Sequence, residues 1–357
     1  MPQTRHHCGK ILTKGVNPMG TLTAAISQVG KGASKAKDLT DAEAAEAMRC
    51  ILSGQADPFE LGAFLVAMRI KEESVAELTA FVRVAGDYLE PVPGPAAALT
   101  VPAYAGKRQT FPALLAAACV LAACGVPVGI HGHARPVDRM SLADAVAALG
   151  GNPDASPEAA ARDLERAGVA YLGVERFCPV MHRMLELRQR MGLRSCFHTM
   201  GRLVNPFRAP ALMVGLSHER TFDKFAQAGH ALGYTRILSF RGLEGEAEAN
   251  PLVDSEGTML HSDGSAGSFP LLPKALGLAG GSRTTIHVDS PAAGAAMVRA
   301  VLIGEGPEVA VAVTLLTAAC GLVAAGRAAD LFQALPRCRA ALEDGTAAER
   351  LKTWVGQ

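Results

Sequence analysis

The first ninety residues carry apolar positions at helical spacing, broken by short polar turns. A helix is expected from Thr21 to Val29, closed by Gly30. Thr40 precedes an apolar-periodic run from Ala42 to Leu52 and has Glu43 three residues on, the pairing of a capping box. Asp57 and Pro58 open a third helix that reaches Arg69, with Phe59, Leu61, Phe64, Leu65 and Met68 expected on its buried side. Ser74 caps a fourth helix ending near Tyr88. Residues 1–20, interrupted by Gly9, Gly15, Pro18 and Gly20, read as a flexible basic arm. Residues 21–90 read as a small all-helical domain, and 91–96, with Pro91, Pro93 and Pro95, as a stiff linker.

From residue 97 to 357 the pattern changes to α/β. A strand is expected over Ala96–Val101, then a turn at 103–109, a helix from Pro112 to Cys124, a strand from Val126 to Ile130 and a polar loop from His131 to Met140. Ser141 caps Leu142 to Leu149. This order predicts a mostly parallel central sheet, whose ligands sit at the carboxyl ends of its strands. Further helices are expected at 156–168 and 178–192, from Ser290-Pro291 to Gly304, over Val309–Ala325 and Arg327–Leu342, and at Ala347–Trp354. Ile237–Phe240 and Thr284–Val288 read as strands, with a long acidic loop from Gly242 to Gly267. The fold class is therefore α/β: a small helical N-terminal domain before a large α/β domain.

Composition narrows the class. Apolar residues make up 49% of 357 and charged residues 19%, enough for a sizeable core. The longest apolar run, Ala113 to Val128, is short for a membrane span and is broken by Gly125 and Pro127, so no membrane role and a cytoplasmic location are expected. None of the eight cysteines pairs as C-x-x-C, which favours buried free thiols. His6-His7-Cys8 could hold a stray metal. Net charge is only +1, but residues 1–37 hold six Lys/Arg and no acid, and residues 176–208 hold seven Arg against Glu186. Such local basic excess can serve an anionic partner.

Leu52-Ser53-Gly54, Phe64 to Arg69, His131-Gly132 with Ala143-Asp144 and Ala148-Leu149-Gly150, Met191 to Arg194, Phe197 to Pro206 and Gly304 to Pro307 together give the chain a resemblance to the anthranilate phosphoribosyltransferase family (glycosyltransferase family 3). The resemblance implies a Gly-Gly-Asp turn that holds the diphosphate of phosphoribosyl diphosphate and its Mg²⁺. Here those places are Tyr104, Ala105 and Gly106. The lysine before His131-Gly132 is Ile130, the asparagine after it is His133, and the serine-rich phosphate loop is Pro136 to Met140. The family's Mg²⁺-carrying Asp-Glu pair falls at Ala247 and Glu248, with Glu244 nearby as a further metal candidate. Arg188 matches the arginine that receives the anthranilate carboxylate. Tyr104, Gly106 and Arg108, Arg190 to Arg194 with His198, and Gly242 to Glu246 are most similar to the YbiB-type nucleic-acid-binding branch.

That likeness implies a homodimer joined through the helical domains that binds DNA or RNA without sequence preference and requires no cofactor. Lys31, Lys35, Lys37, Lys107, Arg108, Arg188, Arg190, Arg194 and Arg202 are the expected phosphate contacts, in a salt-dependent interaction. Tyr104, Gly106, His131, Gly132, His133 and His198 mark a vestigial ligand cleft, where Tyr104 either stacks on a base or plugs the cavity. Two alternatives stand beside this: an active phosphoribosyltransferase or phosphorylase using Mg²⁺, and a regulatory dimer that presents its helical domain to proteins.

Overall fold

The computed structural model describes residues 22–32, 35–133, 138–278 and 280–356. The arm at 1–20, His6-His7-Cys8 and part of the loop at Pro136-Val137 lie outside the described residues.

Four helices form the amino-terminal layer: α1 (Leu22–Val29), α2 (Asp41–Leu52), α3 (Pro58–Lys71) and α4 (Val75–Gly86). Thr40 and Ser74 close reciprocal capping boxes with Glu43 and Glu77, and Asp57 accepts the Phe59 and Glu60 amides. Each such cap satisfies amides that the first helical turn cannot pair, for about 1 kcal/mol. Phe64, Leu65 and Met68 are buried as expected, but Phe59 is 89% exposed. It sits in the first turn of α3, on the side away from Phe64.

The α/β part is built on a seven-stranded sheet of order β3-β2-β1-β4-β5-β6-β7, with β1 Leu99–Ala103, β2 Val128–Gly132, β3 Val169–Gly173, β4 Ala211–Leu216, β5 Arg236–Arg241, β6 Ser255–Leu260 and β7 Ala266–Leu271. The first five strands are parallel, and β6 and β7 add an antiparallel hairpin. The region from Gly242 to Gly267 is thus partly strand. Thr284–Val288 is no strand: a 3₁₀ turn at Arg283–Ile286 leaves only a bridge between His287 and Thr110.

Alternate residues along each strand enter two cores, as side chains two apart share a sheet face. Val101, Ile130, Tyr171, Met213 and Leu238 pack with the helices Ala113–Ala123 and Glu308–Ala324. Leu172, Leu212, Val214 and Ile237 face the other way and share a core with α1–α4 and the helices Pro179–Met191, Cys196–Met200 and Phe222–Ala231. The proline segment between the two parts is tied down: the Glu90 amide donates to Phe177, Val92 to Pro206 and Ala97 to Phe207. Strand order reverses direction between β1 and β4, which makes their carboxyl ends the expected ligand crevice. Among the described residues no helix is long and apolar enough to cross a membrane.

Candidate functional site

The turn after β1 is closed by acids from the loop after β5. The Gly106 amide, at φ 70°, donates to Glu246. The Arg108 amide donates to Glu244 at 2.8 Å, and Lys107 pairs with Glu248. Glu248 also accepts the Leu114 amide at 3.0 Å, at the start of the helix Ala113–Ala123. Arg139 donates to the carbonyls of Gly106 and Glu244 at 3.1 and 2.9 Å, stitching both loops together. Space for this loop comes from glycine: a Cβ on Gly215 or Gly242 would overlap the Glu246 backbone.

Electrostatics follow from burial. Burial raises the Glu246 carboxyl against the pull of Arg202, and raises that of Glu248 against Lys107. At Glu244 burial works the same way, yet the Arg108 amide and Lys107 outweigh it and hold the carboxyl low.

These contacts correct three expectations. Lys107 is 1% exposed and tied to Glu248, so it cannot meet a nucleic-acid phosphate. Glu248 spends both oxygens on Lys107 and the Leu114 amide, and Glu244 caps amides of the turn and meets Arg283 at 3.2 Å. Ala247 offers no ligand. This loop therefore does not fit the Mg²⁺-carrying role that the family resemblance implies. The turn amide of Gly106, which the same resemblance gives to a diphosphate, is held by the chain's own Glu246 carboxylate.

Tyr104 is 5% exposed, and its hydroxyl lies 3.2 Å from His131 Nδ1. Its ring fills the space over Gly201, where a Cβ would come within 2.9 Å. At that exposure the ring fills the space at the end of β1, and only its edge lines the cleft beside it, leaving little surface for a base to stack on. His131 is fully buried beside Phe177, and burial lowers it to about 3. Gly132 follows because a side chain there would strike the Ala103 carbonyl on the adjacent strand.

A cleft of about 200 Å³ opens where the ends of β1 and β4 meet α3. Its cations are Arg69, Arg194, Arg202, Arg220 and Lys224, against Glu72 and Glu73. Arg202 donates to the Gly215 carbonyl and faces Glu246; Arg220 meets Glu72 at 2.7 Å. Arg194 is different: burial, then Arg188, Arg202, Arg139 and Arg69, lower it to about 10. The charges that weigh on it most are all positive, which is the field an anion would relieve. His198 is brought here too, with burial first and Arg194 and Arg188 next lowering it to about 3.

Arg190, Arg108, Lys31, Lys35 and Lys37 are exposed and do not line this cleft. Arg69, Arg220 and Lys224 do line it; Arg69 closes the Phe64–Arg69 stretch that carries the resemblance, whereas Arg220 and Lys224 have no sequence signal. They lie on separate helices and turns, and only the fold converges them. His133 points instead to a group with Glu175, His182 and Glu186.

Comparison with known proteins identifies the class. Residues 23–87 match the glycosyl transferase family helical bundle domain, and residues 106–348 its a/b domain. The chain belongs to this glycosyltransferase family. It is 35% identical to the anthranilate phosphoribosyltransferase of Moorella thermoacetica, covering 94% of this chain and 97% of that protein. It is 32% identical to that of Methylocella silvestris, covering 94% and 95%. The crystal structure of the Thermus thermophilus enzyme superposes with a TM-score of 0.81 at 26% identity, over 95% of this chain and 99% of that one. The Saccharomyces cerevisiae enzyme in complex with PRPP and Mg shares the fold, with a TM-score of 0.79 at 17% identity over 94% and 97%.

Proposed function

We propose that the arginine-lined cleft binds a phosphorylated ribosyl ligand. Arg194 carries this reading: it is half-buried, surrounded by other arginines, and set at the switch point of the sheet. The relatives favour one form of it, transfer of a phosphoribosyl group to an anthranilate-type acceptor, with Arg188 toward the acceptor's carboxylate. Transfer through an oxocarbenium-like sugar needs its leaving diphosphate stabilised by fixed positive groups. In this chain that task falls to Arg194 and its neighbours rather than to the turn, which Glu246 and Glu244 already occupy.

The same occupied turn, with Tyr104 filling the space behind it, favours a second reading. A nucleic-acid backbone asks only for phosphate contacts along a basic surface and for no enclosed diphosphate pocket. Two copies of the chain would pair through the apolar face of α3.

Calorimetric titration decides between the two. Phosphoribosyl diphosphate with Mg²⁺ and random-sequence single-stranded DNA are titrated separately at low salt. Heat from the first that Arg194→Ala abolishes supports the transferase reading. DNA binding that weakens steeply with added salt supports the second. Silence with both overturns the assignment of the cleft.

A further inference from the structure

A separate cluster of polar side chains stands at the β2–β3 side of the sheet. β2 and β3 run parallel with Gly132 opposite Gly173, so the residues that leave them emerge side by side. His133 leaves β2, and Glu175 follows β3. His182 and Glu186 lie four apart on the helix Pro179–Met191, on one face of it. One donor atom from each of His133, Glu175 and His182 lies within 4.8 Å of the others. His133 Nε2 is 3.1 Å from Glu186 Oε1, and His182 Nδ1 is 4.0 Å from Glu175 Oε2. The two imidazole rings are 5.4 Å apart. Gly173 makes room for this: a Cβ there would strike the Glu175 carboxylate, which folds back over the strand end.

We propose that His133, Glu175, His182 and Glu186 bind a divalent first-row transition ion of the zinc type. The donor set argues for it. Two imidazole nitrogens with carboxylate oxygens suit Zn²⁺, whereas Mg²⁺ and Ca²⁺ take oxygen ligands. Ligand atoms about 2.1 Å from a tetrahedral ion are roughly 3.4 Å from one another. The His133–Glu186 and His182–Glu175 distances bracket that value and the donors of His133, Glu175 and His182 already lie within 4.8 Å of one another, so side-chain rotations that bring Glu186 toward the other three close the site. Two carboxylates and two neutral imidazoles balance the charge of one such ion. His133 is 7% exposed while the Glu175, His182 and Glu186 side chains are 19%, 26% and 31% exposed, so the site is held from below and open to an entering ion.

The test uses the full chain, stripped with a chelator and titrated with Co²⁺ and then Zn²⁺. One Co²⁺ per chain is expected, with the visible ligand-field absorption of a four-coordinate ion, displaced by Zn²⁺. His182→Ala, and Glu186→Gln as the milder change, should each weaken binding by at least about tenfold. The double variant His6→Ala/His7→Ala should leave it unchanged, which separates this site from the amino-terminal histidines. Absence of Co²⁺ absorption in the parent protein overturns the assignment. So does binding lost in the His6/His7 variant and kept in both helix variants.

Discussion

Lys107 and Glu248 form an ion pair with neither side chain exposed, and it joins the turn after β1 to the loop after β5. Taking one charge away strands the other in a dry interior. Lys107→Met or Glu248→Gln alone should cost about 3–5 kcal/mol in denaturant unfolding. Replacing both with apolar residues should cost less than either single change, because no lone charge remains. Single changes worth under about 1 kcal/mol would show that the pair is hydrated.

His131 gives the fold a pH dependence of fixed sign. Its folded-state value of about 3 lies below the ordinary 6.5 of an unfolded chain. The unfolded state therefore binds more protons as pH falls below about 6.5, and stability is lost on acidification. Between pH 7 and pH 5 this one residue should remove about 2 kcal/mol. In His131→Gln that share of the slope should vanish. Parallel pH profiles for parent and variant would mean that His131 is protonated in the folded protein.

Helix α3 leaves Phe59, Val66 and Ile70 exposed at 89%, 37% and 65%, spaced to lie along one side of the helix. Val66 and Ile70 border an apolar groove that Ile26, Val29 and Ala67 help to line. If this face joins two copies, Ile70→Glu should shift the sedimenting species from dimer to monomer without changing the helical circular dichroism. A parent protein that sediments as a monomer would remove the proposed pairing.

Much of the fold was legible because its signals are local. Thr40 with Glu43, and Ser74, place the starts of their helices from a few residues each, and His131-Gly132 marks the end of a strand that must pass close to its neighbour. The hairpin of β6 and β7 gives only a weak strand signal, because each strand carries a Gly and a Ser and β7 also holds Pro270, although Asp263-Gly264 between them is a recognised turn signal. Thr284–Val288 has strand-like residues, but the fold gives it no partner strand beyond one bridge. The chemistry was less legible. Glu246 reaches Gly106 across 140 residues, and Glu248 reaches Lys107 across 141, so only the folded chain shows that these acids answer the turn and not a metal.

Arg194 in the cleft, and not Arg108 in the turn, is the proposed phosphate contact. The most direct test is the affinity of the phosphorylated ligand that binds the parent protein, measured for Arg194→Ala and for Arg108→Ala in the same low-salt buffer. A loss of about tenfold or more at Arg194, with little change at Arg108, is the predicted result, since a hydrogen bond to a charged group is worth about 1.5–3 kcal/mol and a solvent-exposed ion pair much less. A larger loss at Arg108 than at Arg194 would contradict it.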